Sequence, residues 1–218
     1  MKTKARAKDS TKALGKLAHK VDGAFRIISD PPLVVPLDEL ATDTGVSLDF
    51  DQLRTWLHER FRTYRRSLQH DRRHLLETYE LVDFARKVVG VGSVGTRCWI
   101  ALLMGKDNAD PLFLQIKEVE PSVLEPYAGK SQYASHGQRV VEGQRLLQAS
   151  SDILLGWTRA VGLDGVERDF YVRQLWDWKV SAHLETMTPE IMKVYAEMCG
   201  WTLARGHARS GDRVAISS

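Results

Sequence analysis

The sequence predicts an α+β fold, an antiparallel sheet of about five strands with one packed helix and further helices on its N- and C-terminal sides. Three observations lead there. Apolar residues recur at three- and four-residue spacing through 49–86, short β-prone runs separated by turn residues fill 87–118, and a helical pattern over 137–152 precedes two more strand-like runs. A chain of 218 residues with 43% apolar content can bury one sizeable core, so one domain with appendages is expected.

Residues 1–21 have the composition of a short basic helix. Lys2, Lys4, Arg6, Lys8, Lys12, Lys16 and Lys20 face only Asp9, which makes this end locally basic and is expected to leave it mobile. Asp30, Pro31, Pro32 and Pro36 then predict an extended linker, because proline disfavours helix at the residue before it. From 49 to 69, Leu53, Trp56, Leu57, Phe61, Tyr64 and Leu68 form a stripe, with Arg54, Arg62, Arg65 and Arg66 among the other positions, the pattern of an amphipathic helix. A second helix over 71–86 would place Leu75, Leu76, Tyr79, Val82 and Ala85 on one side.

Strand chemistry follows at 87–91, 98–104 and 113–117, with a turn around Asn108 and Asp110 between the last two. After the helix at 137–152, strand-like runs at 153–160 and 170–175 flank the turn Gly162-Leu163-Asp164-Gly165. Thr188-Pro189-Glu190 has the capping hydroxyl, first-turn proline and early acid of a helix start, and that helix should run to about His207.

Composition narrows the function classes. No run of eighteen apolar residues is present, and the alternating N-terminal lysines do not make a secretory signal, so no membrane partner and a cytoplasmic location are expected. Cys98 and Cys199 sit in apolar-periodic segments without a CxxC spacing and read as reduced, packed thiols. The seven histidines are scattered without an HExxH pair, so no metal site of His or Cys is expected. A net charge of +3 gives little support to nucleic-acid binding through the basic tail and the arginines of 60–73.

One constellation carries chemistry. Gly90-Val91-Gly92-Ser93-Val94-Gly95 is a GxGxxG run between two strands, and glycines there let the backbone approach a phosphate without Cβ obstruction. A dinucleotide fold would need a helix to open after Gly95, whereas the residues from Thr96 onward are strand-like, so the kinase type of glycine loop fits better. An ordinary tight hairpin is the plain alternative. Lys117 ends the next strand, where an ammonium can reach phosphates beneath the loop, although it could also pair with Glu118 or Glu120 at the surface. Glu142 on the following helix is the candidate for orienting Lys117, with Glu125 in reserve and a helix pair with Arg139 or Arg145 as the competing role. Gln174, Leu175 and Trp176 fall where an adenine edge would meet backbone groups. Trp157, Trp176 and Trp178 could stack on a base or simply pack.

On this reading the chain divides into a basic segment and proline-rich linker (1–48), a helical segment (49–86), a kinase-like nucleotide-binding small lobe (87–180) and the C-terminal helix of an incomplete second lobe (181–218). The cofactor-binding residues are Gly90, Gly92, Ser93, Gly95, Lys117, Glu142, Gln174 and Leu175. ATP is the expected ligand, and Mg²⁺ joins it only with an acidic loop. His207 and Asp212 lie close in sequence but not in the HRDxxxxN arrangement of a kinase catalytic loop.

The stretches 88–97, 111–118, 137–145 and 171–175, together with 199–212 and the basic segment through Pro31-Pro32, make the chain resemble the bacterial family called domain of unknown function 2252. The resemblance covers most of the chain. It implies a fold similar to aminoglycoside-phosphotransferase-type kinases, with GDxHxxNFG-like and DxNDFD-like catalytic and metal-binding regions lying before this segment in full-length members. Neither motif is present here. The expectation is therefore a truncated, catalytically incomplete member that binds nucleotide and pairs with a complementary segment or protein. A non-catalytic binding or scaffold module is the alternative from another class.

Overall fold

Segments of period-two alternation interleaved with amphipathic helices build the architecture, which a computed structural model describes for residues 10–43, 50–90, 95–162, 164–175 and 182–217. Helix α1 (Ser10–Leu17) leads into a hairpin of β1 (Ala18–Val21) and β2 (Ala24–Ile27). The helix expected to reach residue 21 therefore ends at Leu17. Asp22 and Gly23 both take positive φ, at 49° and 84°, which is the two-residue hairpin turn that pulls the flanking residues into strands. The basic tail over 1–9 lies outside the described residues.

The proline-rich stretch is more than a linker. Asp30 O accepts the N–H groups of Leu33 and Val34, each at 2.8 Å, and β3 (Val34–Pro36) then joins the main sheet as an edge strand, the position in a sheet that tolerates proline. Helices α2 (Leu37–Asp43), α3 (Phe50–Arg66) and α4 (His70–Glu77) follow. The helix expected over 71–86 stops at Glu77, and β4 (Glu80–Lys87) takes up the rest. Apolar residues at 81, 82, 84 and 85 suit either periodicity, and ladder pairing with β3 on one side and β5 on the other decides for strand.

The sheet continues through β5 (Cys98–Met104), β6 (Pro111–Val119), β7 (Gly156–Val161) and β8 (Glu167–Gln174), in the order β3-β4-β5-β6-β8-β7 with every neighbouring pair antiparallel. It thus has six strands rather than five. Since β8 inserts between β6 and β7, those two run parallel and need a crossover, which α5 (Glu125–Ala128) and α6 (His136–Leu147) supply. After a 3₁₀ turn at Leu184–Thr186 come α7 (Pro189–Ser210) and α8 (Arg213–Ser217). Thr188 Oγ1 accepts the Ile191 N–H at 3.4 Å, so α7 starts at the cap its sequence announced. Among the described residues no helix is long and apolar enough to cross a membrane.

Both faces of the sheet are covered. On the first, Ile100, Leu102, Phe113 and Ala85 pack with Ala13 and Leu14 of α1 and Ile27 of the hairpin. On the second, Ala101, Leu103, Leu112 and Leu114 pack with Tyr64, Leu68 and Leu76 from the α3–α4 segment. Asp83, at a register irregularity in β4, fastens the hairpin by accepting the Ile27 N–H at 2.7 Å and the Phe84 N–H at 2.9 Å. Cys98 is buried as expected, whereas Cys199 on α7 is exposed.

Candidate functional site

Alternation along β6 assigns Lys117 a face. Phe113 belongs to the first cluster and Leu114 and Ile116 to the second, so Gln115 and Lys117 project on the first face. Lys117 pairs in register with Cys98 of β5 and Tyr171 of β8, and Tyr171 pairs in turn with Trp157 of β7. These four residues form one row across the sheet. Cys98 is fully packed, and Gln115 Nε2 lies 3.6 Å from its Sγ. Burial pushes the Cys98 thiol up, against the pull of Lys117 and Lys87 downward, and burial likewise raises Tyr171 against Arg173.

Helix α6 lies over the same row. A Cβ on Gly137 would collide with the Phe170 carbonyl oxygen and stand 3.1 Å from Trp157 Cβ, so the first turn of α6 reaches the sheet only because it carries glycine there. The guanidinium of Arg145, two turns on, sits 5.7 Å from the centre of the Trp157 ring. The start of α6 is held by Asp169, whose carboxylate accepts the His136 N–H at 2.8 Å and the Ser135 hydroxyl at 3.1 Å while Arg159 Nε donates at 2.8 Å. Burial pushes the Asp169 carboxyl up, but Arg159 and these donors outweigh it and leave it below the usual range.

The glycine run leads in sequence to this row through Arg97 and Cys98. It joins β4 to β5, and its C-terminal anchor is set by Glu118, next to Lys117: the Glu118 N–H donates to Arg97 O at 2.9 Å, and the Arg97 N–H donates to Glu118 Oε2 at 2.8 Å. Gly95 has φ 84°, a left-handed turn that favours glycine. At Gly90 a Cβ would meet nothing within 4 Å among the described residues, so no contact among them calls for glycine there. Gly92 and Ser93 lie outside the described residues, as do Trp176, Asp177 and Trp178.

The remaining expected residues are placed differently from a bound-nucleotide arrangement. Glu142 is on α6 above the right face, but its Oε1 accepts from Arg145 Nη1 at 3.0 Å, the competing helix pair. Among the described residues no hydrogen bond or ion pair engages the Lys117 ammonium. Glu125 lies 4.0 Å from His136 Nδ1. The Gln174 N–H donates to Asp152 Oδ2 and the Leu175 N–H to Phe113 O at 2.8 Å, so neither amide is open to an adenine edge, and the Leu175 side chain is in the core. Asp212 caps α8, its Oδ1 accepting from the Val214 and Ala215 N–H groups at 2.9 and 3.2 Å. Among the described residues no group of three His, Cys, Asp or Glu converges as a metal site.

Sequence reasoning missed Cys98 and Tyr171 as neighbours of this region, and named Arg145 only as the competing partner of Glu142. Arg145 was readable as an i+3 partner of Glu142, whereas Tyr171 requires knowing that β8 inserts beside β6.

The fold and this face define a mixed α+β protein whose antiparallel six-stranded sheet carries a helical crossover. The chain belongs to the family described as "Uncharacterized protein conserved in bacteria (DUF2252)", whose model matches residues 1–218. No curated protein and no solved structure matches the chain.

Proposed function

We propose that the region from β4 to β8 is a nucleotide-binding lobe of the kinase type, with ATP held by the 90–95 loop and Lys117. The observation that carries this reading is a convergence. A glycine-rich strand connection, a lysine on the third strand and a helix crossing over that lysine's face occur in the order a kinase small lobe uses. The Lys117 ammonium, between Cys98 and Tyr171 in the row, would supply charge for phosphates, and Gly90 would supply backbone that a phosphate can approach. Gly92 and Ser93 complete the loop in this reading.

In the structure described, Glu142 is paired with Arg145. Nucleotide binding would need Glu142 to leave Arg145 for Lys117, or Lys117 to contact phosphate without a helix partner. Since the Gln174 and Leu175 amides are engaged within the fold, they do not contribute hydrogen bonds to the base. Binding should consequently be weak and dominated by the phosphates. Phosphoryl transfer needs metal-holding acids as well as a glycine loop and a lysine. Asp212 is committed to a helix cap, so the chain by itself binds without turning over, and Mg²⁺-dependent transfer would require a complementary acidic segment.

Calorimetric titration of ATP into the full chain, with and without Mg²⁺, tests this. We expect measurable binding that Lys117→Ala weakens about tenfold, the loss of one charge-assisted contact, with no release of ADP. Binding indifferent to Lys117→Ala removes the lysine from the site. Robust ATP turnover that the substitution abolishes contradicts the incomplete-catalyst reading.

A second reading, a partner-binding or scaffold module, is favoured by α7. Ile191, Val194, Met198 and Trp201, at three- and four-residue spacing along one side of the helix, are 53%, 56%, 62% and 66% exposed, a stripe of large apolar side chains unusual on a free helix. Light scattering of Trp201→Glu against the unaltered chain distinguishes self-association through this helix from a free monomer.

A further inference from the structure

The other face of the sheet holds a cavity that the nucleotide reading does not use. It lies between α3 and β4–β8, with a volume of about 400 Å³, within the range of small-molecule sites. Its walls are mostly apolar, and rings hold key positions in them: Trp56 and Phe61 come from α3, Phe84 and Trp99 form a stacked pair at 5.3 Å and 25° on the sheet, and Phe170 lies on β8.

The mouth is cationic. Arg86, Arg97 and Arg168 stand on this face at the sheet end where β4 finishes and β5 and β8 begin, and Arg60 reaches the same end from α3, donating to Val161 O at 3.4 Å. Two acids neutralise two of these arginines. Glu118 and Asp164 bridge Arg97, at 3.4 and 3.2 Å, and Arg168, at 3.2 and 2.7 Å. Arg168 and the Val166 N–H hold Asp164 ionised, down to about 2.

The other two arginines retain donor capacity. Arg60 pairs with the exposed Glu59 through Nη1 and stacks 4.5 Å over Trp56, yet its Nε is buried and has no acceptor. An N–H in that state is costly unless something accepts from it. Arg86 has no ion pair or hydrogen bond among the described residues and sits beside Trp99 in register.

From the apolar rings, the surplus positive charge and the orphaned Arg60 donor, we propose that this cavity binds an apolar monocarboxylate, its hydrocarbon body against the Phe84–Trp99 pair and its carboxylate at the arginine-lined mouth. A neutral oxygen could accept from Arg60 but would leave the positive charge of the mouth unbalanced, and a cation would be repelled. The site is on the sheet face opposite Lys117 and stands independently of the nucleotide reading.

The test titrates 1-naphthoate and the neutral 1-naphthalenemethanol into the full chain at neutral pH by calorimetry. The carboxylate should bind at least about tenfold more tightly than the alcohol, the value of one good charge-assisted contact. Arg86→Met, at an exposed position that the fold does not use, should bring the two ligands closer together, as should Arg60→Met. Ala160→Phe, which places a ring in the cavity from β7, should abolish binding of both while the chain still unfolds cooperatively in urea. Equal affinities for acid and alcohol, no naphthoate binding by the folded chain, or a preference for the acid that survives both arginine substitutions overturns the proposal. Should Ala160→Phe fail to fold, the arginine variants decide by themselves.

Discussion

The two faces of the six-stranded sheet meet their covering helices in different ways. Toward α3 and α4 the strands present Ala101, Leu103, Leu112 and Leu114 to Tyr64, Leu68 and Leu76, and charge is confined to one end. Toward α1 and α6 the apolar cluster of Ile100, Leu102 and Phe113 gives way along the same strands to Gln115, Lys117 and Tyr171, with half-buried polar groups beneath a helix. Folding explains the first arrangement through burial alone. It does not explain a half-buried lysine that has no acidic partner among the described residues in the second, and the nucleotide reading proposed above assigns that ammonium to a phosphate.

Disrupting the α6 contact should have the largest effect. Gly137→Ala would drive a methyl group into the Phe170 carbonyl, which is backbone and cannot swing aside, and should cost about 3 kcal/mol in urea unfolding. ATP binding should fall with it, since α6 roofs the Lys117 row, whereas naphthoate binding should persist in the fraction that remains folded.

Asp169→Asn comes next, at about 2 kcal/mol, because it weakens charge-assisted hydrogen bonds to Arg159, His136 and Ser135. The same carboxylate gives a pH dependence. Its folded-state value is lowered, so its contribution is fully present above the ordinary aspartate value of about 3.9 and is lost as pH falls through the lower folded value. Urea midpoints measured from pH 6 to pH 3 should drop more steeply for the unaltered chain than for Asp169→Asn.

On the opposite face, Tyr64→Phe removes the hydroxyl that donates to Leu154 O at 2.6 Å and should cost about 1 kcal/mol, with no change in ATP binding. Gly90→Ala should have the smallest effect on stability, within about 0.5 kcal/mol, since a Cβ there meets nothing among the described residues. It should nonetheless weaken ATP binding if the loop cradles phosphate. A stability loss at Gly90 without a binding loss would make the loop an ordinary hairpin connection and erase the contrast between the faces.

Much of this was legible in the sequence where one periodicity had no rival. The stripe from Trp56 to Leu68, the strands at 98–104 and 111–119 and the cap at Thr188 are set by local pattern and local hydrogen bonding. Residues 80–86 suit the expected helix as well as the strand they form, because their apolar spacing fits both periods, and only neighbouring strands settle it. The hairpin at 18–27 depends on the Asp22-Gly23 turn, which a short lysine-rich context disguised. Within the candidate site, Lys117 and the glycine run could be found from spacing alone. That Glu142 pairs with Arg145, and that the Gln174 and Leu175 amides are spent on Asp152 and Phe113, depends on contacts between segments distant in sequence.

The central claim, that Lys117 faces bound nucleotide phosphate, is tested most directly by labelling the chain with an acyl-phosphate derivative of ATP, which acylates a lysine next to the bound phosphates, and mapping the modified peptides. The account predicts that Lys117 is modified and that excess ATP protects it, while the exposed Lys106 and Lys130 label alike with and without ATP. Labelling that is spread over surface lysines and unaffected by ATP, or that spares Lys117, contradicts it.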